Sequence, residues 1–371
     1  MHTIRALAVA AAVAAALLVL AAPAMASGGG RAHDAVYTLT NSASGNEVAA
    51  FDRAPDGSLT PGGTVGTGGL GTGAGLGSQG ALVLERNRLF AVNAGSNSIS
   101  MLRVGHGGNV WLTDTALSGG ARPISLTVHA NLVYVLNAGD AATPANIRGF
   151  VVRRGELVPL SGSSRPLSSA APDPAQIEFR PNGRQLVVTE KATNLIVTYQ
   201  VRFGLAGAPG PQPSAGETPF GFAFDRGSRL IVSEAFGGAP DASVLSSYTL
   251  ARDGTITPVT PNVATTETAA CWVVVTRNGR YTYTTNTGSN SISGYRIDRD
   301  GSLTLLDADG KTATTGAGPI DMALAKHDRL LYALSGGVAE IQGFSVSGDG
   351  SLASLGAVGG LPAGTVGLAA R

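Results

Sequence analysis

Short runs of apolar residues that alternate with polar ones recur along the chain, and clusters of Gly, Asn, Asp and Pro separate them. A period of two residues over four to eight positions is typical of half-buried β-strands. The spacing of an amphipathic helix is absent beyond the first 26 residues, which excludes Rossmann-type and hydrolase-type α/β folds. The pattern predicts an all-β protein of short strands and tight turns.

Seven of the strand-like runs end at an equivalent position, usually occupied by a polar side chain, at intervals of 44 to 53 residues. Repeats of this length are typical of propeller blades, four-stranded sheets that must stack on their neighbours to bury their faces. We therefore predict a seven-bladed β-propeller with four antiparallel strands per blade. We call the seven terminal positions the anchor residues: Asn41, Asn93, Asn137, Glu190, Glu234, Asn286 and Ser335.

The rest of each repeat agrees with this architecture. After the anchor come a turn and a strand that usually closes on an aromatic residue, then a hairpin such as Asp56-Gly57 or Asp300-Gly301, whose Asp-Gly pair suits the positive φ of a tight β-turn. The C-terminal run LPAGTVGLAAR lacks a following strand, and VYTLTN near the N-terminus lacks a preceding one. Pairing these two runs closes the ring and removes two exposed sheet edges.

The N-terminus reads as a targeting segment. Arg5 precedes an apolar run, and Ala24-Met25-Ala26 is a small-x-small cleavage signal. We predict a signal peptide at residues 1–26, an N-terminal extension at 27–34 and a single propeller domain at 35–371. The mature protein is expected to be secreted, periplasmic or associated with the cell envelope, with no membrane span after cleavage.

The chain has 26 Lys and Arg against 25 Asp and Glu, and removal of the leader with Arg5 makes it neutral. Nucleic acids and acidic membrane surfaces attract a concentrated positive field, so neutrality argues against both partners. Cys271 is the only cysteine, which excludes an internal disulfide and a CxxC site. We expect it to be a small buried hydrophobic residue, and we expect the protein to be a monomer.

Two of the anchor residues are carboxylates in consecutive repeats. Glu190 and Glu234 should lie near one another at the mouth of the central channel, where close carboxylates push one pKa upward and supply an acid and a base. Alternatively, each pairs with a neighbouring cation, of which Lys191 is the nearest in sequence. The amide and hydroxyl anchors have a simpler interpretation as turn caps.

The loops that lead into the innermost strands should open on the same face as the anchors. They present Gln176 as a candidate oxyanion stabiliser beside the catalytic candidates Glu190 and Glu234. Large side chains there either form a platform for a ring-shaped ligand or simply plug the channel. The candidate substrate-binding residues are Arg122, Phe220, Trp272, Asp321, Asn137 and Asn286.

Several other signatures fail. Residues 66–71 match GxGxxG, but a strand rather than a helix follows, so the segment is interpreted as a flexible loop. There is no GxSxG motif, and no histidine falls among the anchor or loop positions, which disfavours Ser-His-Asp and histidine-zinc chemistry. No metal site and no cofactor are predicted.

The chain contains the repeat pattern LYVxNxGSNSISxYxxxxDGSLTxL and the closing segment GLPAGTVGLAA. In both features it resembles the lactonase-type seven-bladed propellers, which include 6-phosphogluconolactonases and carboxymuconate-lactonising enzymes. The resemblance spans residues 35–371 and is strongest to an exported bacterial branch. It implies a catalytic histidine where Ala175 stands and a Pro-Arg-His motif where Pro219-Phe220-Gly221 stands. Of the family positions, only the acidic one at Glu234 is kept.

The resemblance implies a lactonase, or a lactone-forming isomerase, that acts on a sugar or carboxymuconate-type lactone at the channel mouth. The chain's own residues leave a second reading open: a non-catalytic exported propeller that binds a carbohydrate, a peptide or an envelope partner. A third is a descendant that has lost activity and whose ring is purely structural.

Overall fold

The computed structural model describes residues 34–106, 108–325 and 327–371. The predicted signal peptide and all but the last residue of the predicted extension lie outside the described residues. The described chain forms seven antiparallel sheets, each with four principal strands. This is the predicted seven-bladed β-propeller. Within the described ranges, no helix has the length and hydrophobicity needed to cross a bilayer.

Each blade takes its strands consecutively from the chain, except that the last strand of the chain completes blade one. Blade one contains β1 (Ala35–Leu39), β2 (Glu47–Arg53) and β3 (Leu59–Gly66). Blade two contains β4 (Leu82–Glu85), β5 (Arg88–Asn93), β6 (Ser98–Val104) and β7 (Val110–Leu117). Blade three contains β8 (Pro123–His129), β9 (Leu132–Asn137), β10 (Asn146–Arg153), β11 (Glu156–Pro159) and β12 (Arg165–Pro166). Blades four and five contain β13 (Pro174–Phe179), β14 (Gln185–Glu190), β15 (Leu195–Arg202), β16 (Leu205–Ala206) and β17 (Gly210–Pro213); and β18 (Pro219–Phe224), β19 (Leu230–Glu234), β20 (Val244–Leu250) and β21 (Ile256–Ala264). Blades six and seven contain β22 (Ala270–Val275), β23 (Tyr281–Asn286), β24 (Ser291–Ile297), β25 (Leu303–Leu305) and β26 (Ala313–Thr314); and β27 (Pro319–Ala325), β28 (Leu330–Ser335), β29 (Glu340–Val346) and β30 (Leu352–Val358), while β31 (Val366–Ala370) returns to blade one.

The two ends of the chain meet in blade one. Strand β31 pairs antiparallel with β1 and is the innermost strand of that blade. The hydroxyl of Thr38 donates to the carbonyls of Val366 and Gly367 at 3.2 and 2.6 Å. On the other side, the Leu368 amide donates to Asp321 of blade seven at 3.0 Å. The predicted closure of the ring is confirmed.

Neighbouring blades are joined by buried tyrosines on their second strands. The hydroxyl of Tyr332 donates to the carbonyl of Gly57 at 2.7 Å, and Tyr283 donates to Gly350 at 2.8 Å. Each acceptor is the glycine of an Asp-Gly hairpin in the next blade, with φ of 97° and 92°. The Asp-Gly pair therefore makes the turn and also accepts a bond that a buried phenol would otherwise lack.

Six anchor residues end the second strand of their blade, and Asn41 lies two residues beyond β1. We call the end of the ring that holds them the anchor side. The opposite end, where the innermost strand of each blade turns into the second strand, is the turn side. Because the innermost strands run from the anchor side to the turn side, residues late in those strands lie deeper in the channel.

Candidate functional site

The Gly-rich segment between β3 and β4, residues 67–81, crosses the anchor side of the channel, and we call it the cap. Near blade one, Gly73 donates its amide to the Asn41 carbonyl at 2.8 Å, and the Asn41 side chain donates to the Ala74 carbonyl at 2.6 Å. Near blade three, the Ser78 hydroxyl donates to the Ile124 carbonyl at 2.8 Å. Residues 66–71, which were predicted to form a flexible loop, are also hydrogen-bonded: the Asn46 amide donates to the Gly69 carbonyl at 2.9 Å, and the Gly71 amide donates to the Ser42 carbonyl at 2.8 Å.

The end of the cap reaches the far side of the ring. The Gln79 amide donates to the Val273 carbonyl at 2.8 Å and accepts from the Val273 N–H at 3.0 Å. The Trp272 indole donates to the Ser78 carbonyl at 3.0 Å. These contacts join blade two to blade six across the channel and close its mouth on the anchor side.

A lysine of blade four also holds the cap. The ammonium of Lys191 donates to the Gly77 carbonyl at 2.9 Å, lies 3.4 Å from Asp173 and sits 4.8 Å from the centre of the Phe220 ring. Burial lowers the pKa of Lys191, and Asp173 opposes that shift. Among the described residues, Lys191 forms no ion pair with Glu190, so the simple neutralising partner proposed for that carboxylate is not formed.

At Gly71 the cap has no room for a side chain. A Cβ on Gly71 would lie 2.1 Å from the carbonyl carbon of Asn41, whereas a Cβ on Gly75 would meet no atom within 4 Å. We expect Gly71→Ala to destabilise the protein by about 1–3 kcal/mol, the usual range for overpacking, and to loosen the cap. Thermal denaturation and tryptophan emission measure this, because Trp272 is buried under the cap while Trp111 is already half exposed.

Gly75→Ala is the matched control and should leave both signals unchanged. Equal, small effects of the two substitutions would contradict a tightly packed cap.

The predicted catalytic carboxylates are fully buried in separate hydrogen-bond networks. Glu190 accepts from the Ser168 amide at 3.0 Å, from the Ser168 hydroxyl and from Thr193 at 2.7 Å. Glu234 accepts from Ser214, Ser246 and Tyr248 at 2.7, 2.5 and 2.6 Å. For each carboxylate, the donors include a residue of the loop that arrives from the preceding blade. The two carboxylates share none of these partners, so the structure gives each a role in fastening a blade connection; their catalytic role stays a prediction.

The amide anchors have similar surroundings. Asn137 and Asn286 are fully buried, and their side chains donate to Asn146 and Ser293, both at 2.8 Å. Arg122 is exposed on the anchor side. The two asparagines are enclosed by protein, whereas Arg122 is not. Contacts of all three residues with a substrate stay predictions.

Phe220 and Trp272 do come together, with ring centres 5.1 Å apart. Trp272 is only 4 % exposed because the cap covers it. Of the two alternatives for these large side chains, the plug describes their packing better than the open platform does. Cys271 beside them is buried, as expected, and burial raises the pKa of its thiol to about 12.

Below the cap, the innermost strands of blades one, two, three, four and seven line a channel cavity of about 340 Å³. Its polar side chains are Gln79, Thr127, Gln176, Glu178 and Asp321. The rest of its wall is mainly aliphatic. The cavity contains two carboxyl groups: Asp321 lies early in its strand, nearer the cap, and Glu178 lies late in its strand, toward the turn side.

The predicted residue Gln176 positions a carboxyl group. Its amide nitrogen donates to Glu178 at 3.1 Å and to the Phe222 carbonyl at 2.9 Å, and its oxygen accepts from the Phe222 amide at 2.7 Å. Across the neighbouring strand, Thr127 accepts from the Phe179 amide at 3.0 Å, which leaves the Thr127 proton free to donate into the cavity. Thr127 and Glu178 therefore flank the same stretch of channel.

Burial in the channel changes the pKa of both carboxyl groups. Burial raises the pKa of Glu178 from 4.5 to about 8. Burial also raises the pKa of Asp321 well above its usual range, although its oxygens accept the amides of Met322 and Leu368 at 2.8 and 3.0 Å. At neutral pH, Glu178 is thus poised near its titration point, which is the condition for moving a proton.

Sequence reasoning missed Glu178. The available signal was the pair Gln176 and Glu178, two positions apart in an otherwise apolar innermost strand, where alternation places both on one side. Among the described residues, no group of three or more His, Cys, Asp or Glu side chains has the arrangement of a metal site.

Residues 242–365 match the family described as Lactonase, 7-bladed beta-propeller. No curated protein is significantly similar in sequence. The fold resembles solved structures of a candidate 6-phosphogluconolactonase from Bacteroides uniformis (15 % identity, TM-score 0.72, 91 % of this chain and 99 % of that one) and the periplasmic gluconolactonase of Pseudomonas aeruginosa (16 %, 0.66, 89 % and 98 %). A Lactobacillus plantarum protein is similar at 16 % identity, with a TM-score of 0.71 over 91 % of this chain and 99 % of that one.

At these identities the structural likeness establishes only the fold. The family match adds sequence similarity from the second half of blade five through blade seven. Residues 242–365 therefore resemble the lactonase-type seven-bladed β-propellers in sequence, and the ring as a whole has the same fold as the solved structures named above.

Proposed function

We propose that this protein hydrolyses a lactone of sugar or carboxymuconate size inside the central channel, with Glu178 as the base. The observation that carries the proposal is the arrangement of Gln176, Glu178 and Thr127 around one cavity of about 340 Å³. That volume lies at the small end of ligand sites and suits a single ring. The Pseudomonas neighbour, named as a gluconolactonase, supports the reaction class.

The proposed step uses only groups that line the chamber. Glu178 takes a proton from a water molecule as the water oxygen bonds to the lactone carbonyl carbon. The Thr127 hydroxyl donates to the carbonyl oxygen, which becomes negative in the tetrahedral intermediate. The bond from that carbon to the ring oxygen then breaks, and Glu178 returns the proton to the ring oxygen, so the product is the open hydroxy acid.

Gln176 acts as a positioning residue in this scheme. Its amide is held in place by both polar groups of Phe222, and the remaining proton on its nitrogen fixes one oxygen of Glu178. The other oxygen of Glu178 is then available for water. Because the cap closes the anchor side, substrate enters from the turn side.

We expect Glu178→Gln to lower kcat/KM by 100-fold or more, the usual contribution of a general base. In the unaltered protein, kcat/KM should rise with pH and level off above about 8, because the base must be ionised and its pKa is about 8. Hydrolysis of a panel of sugar and aromatic lactones, corrected for the uncatalysed rate at each pH, measures both effects.

Glu156→Gln, which removes an exposed carboxylate on an outer strand, is the control. Equal rates for Glu178→Gln and Glu156→Gln would contradict the proposal. Loss of activity only in a folded Glu190→Gln, Glu234→Gln double variant would return the chemistry to the anchor carboxylates.

The second candidate is a non-catalytic propeller that binds a carbohydrate-like ligand or a partner of the cell envelope. It is favoured by the wall of the cavity, whose lining residues include no arginine and no histidine. Binding of a lactone or its hydroxy acid, abolished by Glu178→Gln without turnover in any variant, would support this reading. Export and cleavage near Ala26 remain part of either proposal.

A further inference from the structure

The near-zero net charge conceals an uneven distribution. The turns that join innermost to second strands carry eight arginines and two acidic residues among the positions that the structure describes. Two arginines at this end of the ring form short ion pairs: Arg53 pairs with Asp34 and Arg229 with Asp225, both at 2.8 Å. Several others have no ion-pair partner among the described residues, and four of these lie together between blades four and five.

Four arginines line a single groove of about 500 Å³ in that region: Arg180, Arg184, Arg202 and Arg252. No acidic residue lines the groove, and within the described part of the chain none of the four forms an ion pair. The nearest acidic residue in sequence, Asp253, accepts from the Thr255 amide at 3.0 Å instead. Four cations that face one concavity repel each other, and an anion in the groove would relieve this.

Hydrogen bonds of a buried side chain hold the floor of the groove in place. Gln185 is buried and accepts from the Arg180 guanidinium at 2.7 Å. Its own amide donates to the carbonyls of Ala251 and Arg252, at 2.8 and 3.4 Å. One buried side chain therefore orients an arginine from blade four and the hairpin of blade five that carries Arg252.

The rim of the groove supplies a different kind of contact. Phe203 follows Arg202 at the tip of the hairpin between β15 and β16, has a positive φ of 51° and is fully exposed. An exposed aromatic ring beside guanidinium groups can stack on a ring of a ligand whose charged group the arginines hold. A single aromatic platform suits one ring, whereas single-stranded nucleic acid is bound on successive platforms.

We propose that this groove, which we name the arginine groove, is a binding site for a small ring-containing molecule that carries a phosphate or sulfate ester. Three of its four arginines are exposed and present the paired N–H groups that hold such oxyanions bidentately. The site lies outside the channel cavity and uses none of its residues, so it is independent of the lactone chemistry proposed above.

The test is titration of the protein with phenyl phosphate and with phenyl sulfate at low ionic strength, followed by ligand-observed NMR. Phenol is the uncharged reference. We expect Arg184→Gln with Arg252→Gln to weaken binding of the preferred ester by tenfold or more. Comparison of the two esters identifies which oxyanion is preferred.

The matched control is Arg277→Gln with Arg280→Gln. These exposed arginines occupy the corresponding turn of blade six, so the control removes the same charge from the same side of the ring. Equal weakening by the two double variants would overturn the proposal, because it would show attraction to a diffuse field. Absence of binding to both esters, or equal binding of phenol, would overturn it as well.

Phe203→Ala tests the ring platform separately, and the full exposure of Phe203 means that the fold should tolerate the change. We expect it to weaken the preferred phenyl ester about threefold and to leave binding of the corresponding inorganic anion unchanged. An equal effect on both would overturn the assignment of a ring-containing ligand.

Discussion

Deletion of residues 361–371 is expected to make the protein insoluble or to lower its melting temperature by about 10 °C or more. The segment contains β31, whose Val366 and Leu368 are buried, and each such side chain contributes about 1.5–3 kcal/mol. Its loss also exposes the edge of β1 and leaves Asp321 without the amide of Leu368. Both effects favour unfolding and edge-to-edge association.

Solubility on expression and thermal denaturation measure this outcome. Ala363→Ser changes an exposed residue of the same segment and should behave as the unaltered protein does. Thr38→Val, which removes the side-chain bonds to Val366 and Gly367 but keeps the strand, should fall between the two. If the truncated protein melted at the same temperature as the full-length protein, that result would contradict a ring closed by β31.

Glu234→Ala is expected to lower the free energy of unfolding by about 3 kcal/mol or more, in the absence of any substrate. The substitution removes the acceptor for Ser214, Ser246 and Tyr248, and a buried polar group that loses its partner costs about 1–3 kcal/mol. Glu234→Gln keeps part of the network and should cost less. Chemical denaturation gives the value directly, if the slope with denaturant is unchanged.

Glu217→Ala serves as the control, because this exposed glutamate lies in the same connection between blades four and five. If Glu234→Ala is as stable as Glu217→Ala, the carboxylate is not a structural fastener. Glu234, which the resemblance predicts to be the family's acidic position, would then again be the first candidate for the catalytic base.

Both predictions assign structural roles, to β31 and to Glu234, and leave the chemistry to Glu178. The resemblance predicts that Glu234 is the family's acidic position, but its carboxylate receives three hydroxyl donors within the protein. Glu178 stands in the channel with a single side-chain donor, Gln176. A residue with unused hydrogen-bonding capacity beside a cavity is better placed for proton transfer than one that is fully engaged.

The sequence by itself determined the number of blades, the order of their strands and the closure of the ring. These features follow from local chemistry: alternation forms the strands, Asp-Gly pairs such as Asp56-Gly57 form the turns, and the period returns the chain to the same place in each blade. The anchor positions were also readable, because strand ends repeat with the blades. Their environment was not, since burial of Glu190 and Glu234 depends on loops from the preceding blades.

Only the tertiary structure decided what lies at the centre and on the two sides of the ring. Gln79 bonds to Val273 across the channel, 194 residues away, and no repeat pattern encodes a contact between non-adjacent blades. Likewise, Glu178 acquires its raised pKa from the enclosure that several innermost strands create together, and the arginine groove forms where two blades meet. Periodicity fixes where each residue stands within its blade, whereas the neighbours that surround it, and so its chemistry, depend on the packing of all seven.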